Sequence, residues 1–254
     1  MAKEVILDTS KIKKWQTFGR RLKLTVLLLL LLLIAVYLAL KLSYDEGSFV
    51  VSLVDNESLK SGLAMYESQN DPSGKRLLKA ESLQFMTNIS GKWIPEDIGT
   101  EAEGSHNGDD YIAYTFYIEN QSDDVFSYWY EMFIDDVTKD VDEALRVMIV
   151  VNDTKTIYAK GDSIDRKPEK GTVMFRSDAD GSIILEQRKN MSPRDIDRIT
   201  IVVWIEGSDP ECINSLIGGH LKMHMDITEE HINSMDRSWI IWVQTKKRKI
   251  RKKD

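Results

Sequence analysis

Cysteine is almost missing: among 254 residues only Cys212 carries a thiol. An internal disulfide is therefore excluded, and with it the disulfide-stapled design of small secreted eukaryotic domains. Basic residues are outnumbered, 34 Lys and Arg against 41 Asp and Glu, for a formal net charge of -7. They also crowd the two ends, Lys11 to Lys23 and Lys246 to Lys253, which leaves the middle strongly acidic. Phosphate contacts need a basic face, so nucleic acid is not an expected partner. Catalytic fingerprints are missing too. There is no G-x-S-x-G, no phosphate-binding glycine loop and no HExxH. His220 and His224 stand four apart, but Leu221 follows His220 where a zinc protease needs glutamate, so neither zinc nor any other cofactor is expected. Cys212 follows Pro210 at a candidate helix start, where a thiol pKa can fall, although a small buried side chain is its commoner role.

What the sequence does have is an apolar run from Leu24 to Leu40. At helical rise it covers roughly 25 Å, slightly short of a hydrocarbon core of about 30 Å, and Lys23 and Lys41 can snorkel to close the gap. Lys11, Lys13, Lys14, Arg20, Arg21 and Lys23 precede it, and Asp45 and Glu46 follow. The positive-inside rule puts the N-terminus in the cytoplasm and the bulk of the chain outside the cell. A cleaved signal peptide shares this pattern, but Ala39 to Ser43 offers no pair of small residues one and three before a cut. The organisation expected is a cytoplasmic basic tail over 1–23, a single-pass signal anchor over 24–42, an extracytoplasmic domain over 43–227, and an amphipathic helix with a basic tail over 228–254. About 200 exported residues suffice for one sandwich-sized core.

Period two dominates the exported part. Gly47 to Val54, Tyr111 to Glu119, Val125 to Asp135, Ala144 to Val151, Thr172 to Phe175, Ile183 to Gln187 and Ile199 to Glu206 are rich in β-branched and aromatic residues. Asn107-Gly108 is a turn signal ahead of the second, and Asp178 to Gly181 divides two short strands as a hairpin would. The fold class predicted is mostly β, a jelly-roll-like antiparallel β-sandwich behind one transmembrane helix. Pro210 to Ile217 reads as a one- or two-turn helix stopped at Gly218-Gly219. His220 to Ile227 alternates again, with Leu221, Met223, Met225 and Ile227 on one face, and reads as a late strand.

From Thr228 a helix is predicted, with Ile232, Met235, Trp239, Trp242 and Val243 at helical spacing. One reading packs this stripe on the sandwich. The other lays it on an interface, with Trp239, Trp242, Lys246, Lys247, Arg248, Lys249, Arg251, Lys252 and Lys253 contacting anionic lipid or wall polymer. Acidic pairs offer weak calcium candidates at Asp109, Asp110, Asp123 and Asp124, with Asp135-Asp136 a further pair, although such pairs are commonly a solvated surface. N-x-S/T triplets at Asn56, Asn88, Asn120, Asn152 and Asn190 are glycosylation acceptors in a eukaryotic secretory protein and turn formers in a bacterium. The missing disulfide favours the second, on a Gram-positive type of surface.

The segment Val203 to Met223, VWIEGSDPECINSLIGGHLKM, with GSFVVSL after the apolar run and the block HNGDDYIAYTFYIEN, resembles exported Gram-positive proteins of the TasA and camelysin type. The resemblance implies a jelly-roll surface or biofilm-matrix protein, processed by a dedicated signal peptidase and in some members assembled into fibres by strand exchange. Glu206, Asp209 and Pro210 in that segment read as turn and cap residues. The function expected is a non-enzymatic, membrane-anchored surface protein, structural or adhesive, with self-association through strand addition at an edge. The alternative is a tethered accessory or sensor domain that binds a wall component, ion or protein.

Overall fold

The structure, a computed structural model, describes residues 9–43, 49–54, 62–83, 85–100 and 102–229. Two units make up the chain, residues 1–45 and 46–254. The first is built on α1 (Thr9–Ser43). Leucine favours helix, and residues 21–43 hold no Gly or Pro to interrupt it. Within α1 the 18 residues Arg21–Leu38 are apolar and long enough to cross a membrane, and none of that stretch is buried.

The second unit is mostly β. In chain order it holds β1 (Val50–Leu53), β2 (Leu63–Tyr66), β3 (Leu77–Lys79), β4 (Asn88–Ile89), β5 (Gly104–Ser105), β6 (Tyr111–Asn120), β7 (Phe126–Val137), β8 (Leu145–Val151), β9 (Thr154–Ala159), β10 (Val173–Met174), β11 (Ser182–Met191), β12 (Ile196–Glu206) and β13 (Leu221–Thr228). Five strands form one sheet in the order β11-β7-β13-β1-β3. The other runs β10-β9-β8-β12-β6-β2, with β4 on β12 and β5 on β6. Every predicted strand is present. Both sheets are mixed, however, where an antiparallel sandwich is expected, because β1 lies parallel to β13, β10 to β9 and β4 to β12. A parallel pair needs a long connection between its strands, and β1 and β13 are separated by almost the whole domain.

Alternation sorts the side chains as the period-two pattern requires. Tyr128, Tyr130 and Met132 of β7, Met223, Met225 and Ile227 of β13, and Val51 of β1 point inward. They meet Tyr114, Phe116 and Ile118 of β6 and Ile199, Ile201 and Val203 of β12 in one core. A second, smaller core lies on the far side of the larger sheet. There Ile89, Ile94 and Ile98 cover Ala113, Met148, Val150, Val202 and Trp204. The covering segment is shaped by a 3-10 turn over Gly91–Trp93 whose N-cap is Ser90. A Cβ on Gly91 would come within 3.0 Å of the Trp204 ring, so glycine lets the backbone lie flat on the indole.

Three local expectations change. The turn Asp178 to Gly181 exists, closed by a Gly181 N–H donating to the Asp178 carbonyl at 3.1 Å and spanned by the Arg176 N–H donating to the Ile183 carbonyl at 2.8 Å, but no β10–β11 ladder extends from it. Its flanking strands pair elsewhere, β10 with β9 and β11 with β7, so the chain crosses between sheets there. A hairpin occurs instead at Asn152-Asp153, which joins β8 to β9 with Asn152 in the left-handed region at φ 53°. Pro210 to Ile217 forms no full helical turn from Pro210; only Asn214–Leu216 is helical, as a 3-10 turn. Ile213 is extended (φ -109°, ψ 165°), which breaks the run, and Gly218 at φ 73° supplies the expected C-terminal stop. β13 reaches Thr228, the residue predicted to cap the following helix, and that helix lies outside the described residues.

Among the asparagines of the N-x-S/T triplets, Asn120, Asn152 and Asn190 act as turn formers, whereas Asn88 lies in β4 and pairs with Ile205 of β12. Asn120 is fully buried, donating to the Asp124 carbonyl at 2.9 Å and the Met191 carbonyl at 3.0 Å while accepting from the Ser122 N–H and hydroxyl. Asn152 and Asn190 both hold positive φ. Asn56 lies outside the described residues.

Candidate functional site

Two buried carboxylates mark the ends of β12. At its start Asp197 accepts from the Tyr128 hydroxyl at 2.9 Å, from Arg188 Nε at 3.0 Å and from Asn152 Nδ2 at 2.9 Å. Burial, with the Asp197 charge beside it, pushes the Tyr128 phenol well above its usual range. Just past the end of β12, Asp209 accepts from Arg146 Nη2 at 2.5 Å, and Glu169 lies 3.8 Å from the same guanidinium. Glu211 completes a set of three carboxylates whose oxygens fall within 4.8 Å of one another. Burial first, then the neighbouring Asp209 charge, pushes the Glu169 carboxyl up, and Arg146 offsets only part of this.

These three residues are the group among the described residues whose oxygens could face one cation. Asp209 and Glu211 already accept hydrogen bonds from the protein, and Glu169 stands beside Arg146. Arg146 holds one Asp209 oxygen, the Glu211 N–H donates to the other at 2.8 Å, and the Ser163 N–H donates to Glu211 Oε1 at 2.6 Å. The arrangement ties the loops after β9 and β12 to β8. A buried guanidinium neutralising a buried carboxylate is a structural pair that is costly to break.

The calcium candidates are not brought together. Asp109 and Asp110 precede β6, whereas Asp123 and Asp124 follow it, so about 30 Å of strand separates them. Asp110 spends its carboxylate on the Thr87 N–H and hydroxyl, both at 2.7 Å, which hold it below the usual range. Asp123 is almost fully exposed, 3.6 Å from Arg194. His220 immediately precedes β13 and His224 lies on it, so the two histidines belong to a strand and its approach rather than to a helix. His224 stacks on Phe133 with ring centroids 4.6 Å apart, and its Nδ1 meets Asp135 at 2.7 Å. His220 Nε2 meets Asp136 at 2.8 Å. Burial, then the Asp209 and Glu206 charges, push the Cys212 thiol up, the opposite of an activated nucleophile. Glu206 is a turn residue as expected, accepting from Trp204 Nε1 at 3.0 Å, the Gly91 N–H at 2.9 Å and the Ser208 hydroxyl at 2.6 Å. Trp239, Trp242 and the basic residues Lys246, Lys247, Arg248, Lys249, Arg251, Lys252 and Lys253 lie outside the described residues.

Sequence reasoning misses the outward face of the five-stranded sheet as a surface. Phe133 and Trp129 of β7, Leu185 of β11 and Val50 of β1 point away from the main core and belong to neither buried cluster. Among them stand Glu131, Asp135, His224 and Asp226, the last accepting from the Ser52 hydroxyl. The alternation in each strand was visible, but the register that lines these residues up across four strands was not.

By fold the protein is a two-sheet β-sandwich preceded by one apolar helix. No protein-family model and no curated protein matches the chain. Among solved structures, a β-glucosidase from Kluyveromyces marxianus in complex with glucose aligns at TM-score 0.25 and 11% identity, over 73% of this chain and 18% of that one. A second structure of that enzyme aligns at TM-score 0.26 and 10% identity, over 73% and 19%. The chain thus spans less than a fifth of the enzyme's length, and a likeness this weak carries no argument about fold or activity.

Proposed function

We propose that this protein is a membrane-anchored, extracytoplasmic surface module of the TasA and camelysin type, structural or adhesive rather than enzymatic. The observation that carries the reading is the exposed apolar stretch Arg21–Leu38, preceded by a basic segment and followed by an acidic β-sandwich. The charge bias orients the chain with its N-terminus inside and the sandwich outside. The buried carboxylates support a structural role, because each is held by an internal partner, and the thiol near Asp209, Cys212, is pushed up rather than activated. No step of bond making or breaking belongs to this proposal.

Intact-mass spectrometry of the protein recovered separately from membrane and medium of a Gram-positive host tests it. Full-length mass in the membrane fraction is the expected outcome. A truncated species beginning near Ser43, found in the medium, overturns the anchor and makes a released matrix subunit the better reading.

A further inference from the structure

The two ends of the sandwich differ in what their loops expose. At one end β12 brings Ile205 beside Leu145, the first residue of β8, β9 closes with Ala159 beside Arg146, and β7 closes with Val137 beside Leu221, the first residue of β13. β1 opens at this same end, with Val50 beside His224. The loops that follow β3, β9 and β12 all lie here, because Lys79 sits beside Val50 and Asn88 beside Ile205. Each loop carries apolar side chains into solvent: Phe85 is 87% exposed, Ile164 91%, Ile213 59% and Ile217 70%. At the opposite end Val54, Val125 and Ile196 are less exposed. Single exposed apolar residues are ordinary, but a group gathered at one end of a domain marks a contact surface.

The loop that presents Ile164 is held in shape by its own bonds. Asp162 Oδ1 accepts from the Ile164 N–H at 2.7 Å and the Asp165 N–H at 3.1 Å, and the Asp162 carbonyl accepts from the Arg166 N–H at 2.9 Å. The Ser163 N–H ties it to Glu211 and so to the loop of Ile213 and Ile217. The carboxylates here are engaged within the loops, Asp165 by Lys167 Nζ at 2.6 Å, whereas Arg166 and Lys170 beside Ile164 are exposed. Apolar tips flanked by cations suit a headgroup layer, with the apolar atoms among acyl chains and the cations at phosphates. Five residues, 44–48, join the end of α1 to Phe49, and that length reaches at most about 20 Å. We infer that the loops of Phe85, Ile164, Ile213 and Ile217 form a lipid-contacting tip, seated in the surface of the bilayer that α1 enters. This rests on the anchor reading above. The short connection keeps the β1 end of the sandwich within reach of lipid, and the opposite end lies about 35 Å further along β12.

The test uses the full chain carrying Cys212→Ser, in nanodiscs of phosphatidylcholine, with one new cysteine at an exposed position labelled by an environment-sensitive fluorophore. Ile164→Cys and Ile217→Cys read the tip, and Val125→Cys reads the opposite end. Lipid bearing a nitroxide high on its acyl chain is expected to quench the labels at positions 164 and 217 several-fold more than the label at 125. Equal quenching at all three positions, or none at any, in chains that stay with the discs overturns the inference and leaves the anchor reading standing. A chain that elutes apart from the discs overturns the anchor reading and this inference with it. Ile164→Asp with Ile213→Asp, both at exposed positions, is expected to cut the quenching at position 217 several-fold. Unchanged quenching overturns the inference, because the label then reports nearness to lipid without contact by the isoleucines.

Discussion

On the eight-stranded sheet the outward residues Ala113, Thr115, Thr200, Val202 and Trp204 are all buried, whereas on the five-stranded sheet outward Asp135, His224 and Asp226 keep about a third of their side chains in water. The two faces differ in composition: β6, β8 and β12 are near-continuous apolar runs buried on both sides, whereas β7 and β13 alternate and turn mostly polar residues outward. A covering segment matches the first. Residues 88–98 seal the larger sheet with isoleucines, and Arg198 extends the cover by donating to the carbonyls of Thr100 at 2.5 Å and Ala102 at 2.6 Å. A strand that is apolar on both faces thus needs a covering segment, even one with no periodic signature of its own, and a strand that alternates does not.

The sharpest way to break this comparison is to truncate one aromatic on each face. Trp204→Ala removes a buried indole from the second core and leaves a cavity under Ile94, for an expected loss of about 3–5 kcal/mol. Phe133→Ala removes a half-exposed ring and its stack on His224, for about 1 kcal/mol. Urea unfolding monitored by circular dichroism measures both. Equal losses would mean that the outward face of the smaller sheet is core like the other.

A second probe is polar. Thr115 and Thr200 share a hydroxyl contact of 2.7 Å at complete burial beneath the covering segment. Thr200→Val strands the Thr115 hydroxyl and should cost about 1–3 kcal/mol, whereas Thr115→Val with Thr200→Val should recover most of that loss. Additive losses in the double variant would show that water reaches the pair and that the seal is leaky.

The seal also has a pH signature. Burial alone would raise the Glu206 carboxyl, but hydrogen bonds from Ser208, Trp204 and Gly91 outweigh it and hold the group below its usual range. A carboxyl depressed in the folded state stabilises above its unfolded pKa, about 4.3, and loses that contribution as pH falls through the lower folded value. Wild type and Glu206→Gln should therefore differ in unfolding free energy at neutral pH and converge in acid. Curves that stay parallel from neutral pH down to acid would remove Glu206 from the stability of the segment.

These residues also show where sequence stops being legible. Strands β7 and β13 could be read because they alternate, and β6, β8 and β12 because they are long runs rich in β-branched and aromatic residues. β2, four residues long and without a β-branched side chain, is too short for either signal. β9 was not read, since Thr154–Ala159 opens on exposed polar residues and only Asn152, named as a turn former, precedes it. Of the candidate residues, Glu206 was readable as a turn former because its partners Trp204 and Ser208 are local. The Arg146 to Asp209 pair was not, since 63 residues separate its members and the turn role read for Asp209 says nothing of a partner on β8. Non-local pairing is set by sheet register, which the period of a single strand does not contain.

The smallest expected effect is the most informative about the open face. Asp135→Asn keeps an oxygen that can accept from His224 Nδ1 and changes only a charge that is one-third exposed. At such exposure water screens the pair, so the loss should stay within about 0.5 kcal/mol in the same unfolding assay. A loss that small means the carboxylates around Phe133 are not retained for folding and remain at the disposal of whatever covers the sheet. A loss as large as that of Thr200→Val would instead make Asp135 part of the framework. The two outward faces would then differ in degree of wetting and not in role.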